Sequence, residues 1–137
     1  MPGRVDDAAG MAPPLIVTAD DSLLDELLRL AAAAGVTPEV APDAGIALRS
    51  WPSAPLILVG ADQAAAMVRL GPVRRTGVVV AGWRGIGPDG LRLALRLGAA
   101  EVVELPEGER WLVEQLTDLD DATVPSGVVV GVTGGSG

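Results

Sequence analysis

Two rhythms of apolar residues alternate along this chain, and they predict different elements. Leu15-Ile16-Val17, Thr37 to Ala41, Pro55 to Val59, Gly77 to Ala81 and Glu101 to Glu104 have the length and branched content of strands. Between the first two, Leu23, Leu24, Leu27, Leu28 and Ala31 recur at helical spacing and predict a helix from Leu23 to Ala34, stopped by Gly35. Ser22 with Asp25 resembles a capping box at its start. Asp43 opens a short helix through Ile46 and Leu48 that Pro52 ends, and Asp62 opens another that runs to Leu70. Pro88 suits the first turn of a fourth helix ending at Gly98, and Glu107 to Leu116 forms a fifth.

Five strands alternating with five helices through short connections imply an α/β fold, a five-stranded parallel sheet with helices on both faces. Pro55 to Val59 is too apolar for a half-exposed strand and reads as central. The expected strand order is flavodoxin-like. Residues 1–13, rich in Gly, Ala, Asp and Pro, read as a disordered leader, 14–116 as the domain and 117–126 as an acidic, turn-rich linker. Residues 127–137 begin a new apolar strand that runs into Gly134, Gly135, Ser136 and Gly137, the opening of a phosphate-binding loop. On this reading the chain is cut from a longer protein.

Composition narrows the chemistry. The 137 residues hold no Cys, no His and no Lys, which leaves carboxylates, hydroxyls and backbone amides as the catalytic repertoire. A net charge of −8 argues against nucleic acid, whose binding needs a clustered basic surface. No apolar run is long enough to span a bilayer, and Met1 to Met11 lacks the order of a signal peptide, so a cytoplasmic location is expected.

Gly98-Ala99-Ala100-Glu101-Val102-Val103-Glu104-Leu105-Pro106 is similar to the Gly-Ala…Lys-Pro segment of the receiver domains of two-component signalling, and Asp20 to Gly35 is similar to their first unit. The resemblance covers Leu15 to Leu116 and implies four functional elements around a phosphoryl group. The acidic pair that holds Mg²⁺ falls on Thr18 and Ala19, the acceptor Asp on Gly60 or Ala61, the hydroxyl on Ala81 or Gly82, and the Lys on Leu105. None of these residues can do the corresponding job, so a pseudo-receiver is expected, with no metal and no catalytic residue. The alternative is a phosphorylatable receiver with displaced acids, Asp20, Asp21 and Asp62. Helix capping by Asp62, and a charged loop at Asp20 and Asp21, account for the same residues without phosphorylation.

With Val128 to Gly137 added, the chain resembles septum-site-determining proteins and the CpaE/TadZ pilus-assembly proteins, in which a pseudo-receiver precedes a MinD/ParA-like ATPase. That resemblance implies a non-enzymatic module here that positions or regulates an attached ATPase, with recruitment to septum or pole. ATP and Mg²⁺ would belong to the full-length protein only, because the loop stops before any Lys or Ser/Thr that would grip phosphate.

Gly85-Ile86-Gly87-Pro88-Asp89-Gly90 matches a dinucleotide fingerprint but stands at the wrong strand, and Pro88 removes an amide that a pyrophosphate would need. Asp89, Asp118, Asp120 and Asp121 lack calcium-loop spacing, and Arg74-Arg75 reads as surface charge. On the fourth helix, Leu91, Ala94 and Leu95 share a face expected to meet the sheet, which turns Leu93 and Leu97 outward. On the fifth, Leu112, Val113 and Leu116 point inward and Trp111 away. Leu93, Leu97 and Trp111 are therefore the expected interaction surface, for a homodimer or for docking of the attached ATPase.

Overall fold

Consecutive strands that run the same way need a long crossover between them, and the helical segments of this chain supply it. The computed structural model describes residues 12–123. Its elements are β1 (Leu15–Val17), α1 (Asp21–Ala34), β2 (Glu39–Ala41), α2 (Ala44–Ala47), β3 (Ile57–Gly60), α3 (Ala64–Leu70), β4 (Val78–Trp83), α4 (Gly87–Leu97), β5 (Glu101–Leu105) and α5 (Glu109–Thr123). All strand pairs are parallel, in the order β2-β1-β3-β4-β5, the flavodoxin-like order. Residues 1–11 of the expected leader, the end of the expected linker and the strand and glycine loop at 127–137 lie outside the described residues.

Side chains along a strand point to opposite faces in turn, so both faces of this sheet are apolar. Leu15, Val17, Ile57, Val59, Val78 and Val80 meet Ala44, Ala47, Met67, Ala94 and Leu97 of α2, α3 and α4, with Trp51 beside them. Ile16, Leu58, Val79, Ala81, Val103 and Leu105 meet Leu23, Leu27 and Leu30 of α1 and Leu112 and Leu116 of α5. Trp51 is the one large aromatic group fully enclosed among the described residues, and its indole N–H donates to the Val73 carbonyl at 2.8 Å. A buried indole N–H needs such a partner.

Four expectations require correction. The cap of α1 is Asp20, whose carboxylate accepts from the amides of Ser22 and Leu23 at 3.0 and 3.3 Å, so Ser22 lies inside the helix. Asp62 does not cap α3: Gln63 stands at that position without a side-chain capping bond, and Asp62 turns elsewhere. Helix α5 continues to Thr123, through most of the segment expected as a linker. Leu119 packs against the core, and this apolar contact draws the acidic stretch into the helix.

The fourth correction concerns α4. Its inward stripe is Gly90, Leu93, Ala94 and Leu97; Leu97 is buried and Leu93 packs on the core, whereas Leu91 and Leu95 are exposed by 50% and 76%. Both stripes have helical spacing, and Ala94 is common to the two. Gly90 decides between them. Its missing side chain makes room for Ile86, since a Cβ there would collide with Ile86 Cγ2, and Ile86 itself packs on the core. Leu112 and Leu116 do face inward, and Trp111 is half-buried at the margin of the core.

Candidate functional site

Open parallel sheets take their ligands outside the carboxyl ends of the strands, where the strand order reverses. Here that point lies between β1 and β3. Thr18 follows β1 and is almost fully enclosed, the one buried polar side chain among the described residues. A buried hydroxyl must find a partner, and it donates to Asp62 Oδ1 at 2.6 Å. The other oxygen, Oδ2, accepts from the Ala19 amide at 2.8 Å and from Gln63 Nε2 at 3.2 Å. Thr18 Oγ1 in turn accepts from the Asp20 amide at 3.1 Å. One carboxylate thus clasps the ends of β1 and β3 together.

Gly60 sits under this clasp. A Cβ there would collide with Asp62 Oδ1 and lie 2.7 Å from Thr18 Oγ1, so the clasp fills the space that any side chain at the end of β3 would need. Ala61 is half-buried beside it and binds back to the sheet, its amide donating to the Ala81 carbonyl at 2.8 Å. Gly82 is similarly hemmed in, because a Cβ there would collide with Ile86 Cγ1 and come within 2.7 Å of the Gly85 carbonyl. Leu105 is a fully buried core side chain whose carbonyl accepts from the Arg84 amide at 2.6 Å.

Of the three displaced acids, Asp20 is engaged as the α1 cap, Asp62 forms the clasp, and Asp21 stands exposed in the first turn of α1, where its charge suits the helix dipole. Among the described residues no three acidic side chains converge as a metal site would require. The clasp escaped sequence reasoning, although a hydroxyl immediately after a fully apolar strand signals a buried donor in need of an acceptor.

A second feature lies at the β5 edge of the sheet. An open groove of about 460 Å³ runs between α4 and α5 over β5, lined by Leu91, Glu101, Val102, Val103, Glu104, Glu107, Gly108 and Trp111. The expected interaction residues are divided by it: Trp111 lines the groove, whereas Leu93 and Leu97 turn into the core. Elsewhere Arg29 joins α1 to α5, bonding Glu26 at 2.7 Å and Glu109 at 2.9 Å, and its hydrogen bond holds the Glu26 carboxyl below the ordinary glutamate range. No described helix is long and apolar enough to cross a membrane.

A family model described as "Rv3660c-like, CheY-like N-terminal domain" matches residues 17–127. No curated protein matches the chain. Among solved structures, the signal receiver domain of an HD domain-containing protein from Pseudomonas fluorescens Pf-5 is 17% identical, with a TM-score of 0.58 over 81% of this chain and 96% of that one. A CheY-like response regulator receiver domain protein from Methanospirillum hungatei JF-1 is 20% identical, with a TM-score of 0.55 over 80% and 94%. A structure described as pilus assembly-related, from Burkholderia pseudomallei K96243, is 20% identical, with a TM-score of 0.54 over 86% and 96%. At these identities the likeness establishes the receiver fold.

Proposed function

Since the chain belongs to the Rv3660c-like, CheY-like N-terminal domain family, we propose that it is a receiver-fold module that regulates by docking and without phosphoryl transfer. The observation that carries this reading is the clasp: the Asp62 carboxylate, the nearest acid to the end of β3, is engaged by the Thr18 hydroxyl and the Ala19 amide. An acceptor carboxylate must offer an oxygen to an incoming phosphoryl group and needs a cation beside it to offset the charge. Asp62 has its oxygens turned to β1, and Asp20 is occupied with the helix cap.

The same proposal gives the module its task, to position or control an attached MinD/ParA-like ATPase in septum or pilus placement. That part rests on the sequence resemblance at Val128 to Gly137. ATP and Mg²⁺ enter the proposal only with the attached domain. The test is titration of the chain with acetyl phosphate, and with beryllofluoride, in the presence of Mg²⁺, following the amide resonances of Thr18, Ala19 and Gly60 to Gln63. Unchanged spectra are expected. A saturable shift that disappears in Asp62→Asn would establish phosphorylation and overturn the reading.

A further inference from the structure

The net charge of −8 conceals an uneven distribution. Residues 63–100 hold six arginines against one acid, Asp89, a net charge of +5. In a parallel sheet each crossover helix runs back to the end where the next strand begins, so α3, α4 and the connection at 71–77 meet at the amino end of the strands. Arg69 lies in the last turn of α3, Arg96 in the last turn of α4 and Arg74 between them in the connection; all three are exposed. Arg74 ties the group together. Its guanidinium donates to the Arg96 carbonyl at 3.3 Å and fills the space beside Gly98, where a Cβ would collide with it. Among the described residues none of these three arginines enters an ion pair.

Two apolar side chains stand among the cations: Leu70 is exposed by 47% and Val73 by 66%. Their connection is anchored, since the Trp51 indole donates to the Val73 carbonyl at 2.8 Å and Arg75 donates to the Trp51 carbonyl at 2.5 Å. We infer that this end of the molecule rests on an anionic membrane surface, with Arg69, Arg74 and Arg96 at the lipid phosphates and Leu70 and Val73 entering the headgroup layer. The inference does not depend on how the domain responds to phosphoryl donors.

Guanidinium groups match phosphate oxygens, and apolar side chains set among them match the boundary between headgroups and acyl chains. A phosphate polymer such as DNA would satisfy the arginines alone. Repulsion by the rest of the chain is weak at this contact. Asp20, Asp43, Asp62 and Glu107 follow their strands at the carboxyl end, and β4, six residues long, separates the two ends by about 20 Å. That exceeds the screening length of about 8 Å at physiological ionic strength. The acidic last turns of α5 reach the amino end, but α5 packs with α1 on the other face of the sheet from α3 and α4.

The test is co-sedimentation of the full chain with vesicles of phosphatidylglycerol and phosphatidylcholine in equal parts, and with vesicles of phosphatidylcholine alone, at about 0.15 M salt. Saturable binding to the first and none to the second is expected. The double variant Arg69→Gln/Arg96→Gln, which gives up no side-chain hydrogen bond found among the described residues, should weaken binding about fivefold for each charge removed, with an unchanged thermal transition. Val73→Ser should weaken it about threefold, and Val73→Trp, which places an interfacial side chain there, should strengthen it. Absence of binding to the anionic vesicles, equal binding to both kinds, or indifference to the arginine variant or to Val73→Ser would each overturn the inference. Anisotropy of a fluorescein-labelled DNA duplex covers the competing polyanion: a duplex bound through Arg69 and Arg96, with no vesicle binding, assigns the patch to nucleic acid and overturns the membrane inference.

Discussion

Thr18 and Asp62 stand 44 positions apart in the chain, yet their 2.6 Å hydrogen bond occupies the point where the strand order reverses. The donor is buried and the acceptor exposed, so the bond's worth lies mainly in satisfying the hydroxyl. Thr18→Val keeps the shape of the side chain and removes the donor. It also withdraws the acceptor used by the Asp20 amide. The expected cost is about 1–2 kcal/mol, read by urea denaturation. Combined with Asp62→Ala in a double-mutant cycle, the two losses should be clearly less than additive, because each removes the same contact. Additive losses would mean that the clasp contributes nothing as a pair.

Among the elements, α4 is where a periodic pattern allowed two answers. Gly90, Leu93, Ala94 and Leu97 face the core, and Leu91 and Leu95 face outward beside the groove. Leu97→Ala should therefore cost about 2–5 kcal/mol, as deletion of a buried leucine does. Leu95→Ala should stay within about 0.5 kcal/mol, as exposed substitutions do. Thermal and urea unfolding of the two variants check the assignment, and comparable losses for both would show the stripe to be wrongly placed. Helix α5 makes a related point. Leu119 continues the helical spacing of Leu112 and Leu116 into its acidic stretch, and its packing on the core makes continued helix favourable as far as Thr123.

Across the whole molecule, the sheet separates two apolar clusters, yet each central strand contributes to both. Loss of packing on one face should therefore be felt on the other. Trp51→Ala on the α2 side is expected to cost about 3–5 kcal/mol, and Leu112→Ala on the α5 side about 2–5 kcal/mol. Both variants should still unfold in one transition, coincident by circular dichroism and by intrinsic tryptophan fluorescence. Separate transitions would mean that the two faces are independent folding units.

The apolar runs of the sequence determined the strands and their alternation with helices, because local periodicity reports directly on which side chains can be buried together. Parallel pairing followed from the crossovers, and Gly35, Asp43 and Gly98 marked helix ends through backbone chemistry that acts within a few residues. Trp111, read from the sequence as lying off the inward stripe, packs at the margin of the core and lines the groove. The clasp was not legible, since its partners follow different strands and nothing local tells an aspartate to bond a distant threonine instead of its own helix. Nor was the orientation of α4, which depends on Ile86 occupying the space left open at Gly90 and hence on close packing that a hydrophobic pattern does not encode. The sequence determined which residues seek burial and where the chain turns; only the tertiary structure decided which polar groups satisfy one another, because that depends on residues remote in the chain, and which of two equally periodic faces meets the sheet, because that depends on close packing against the core.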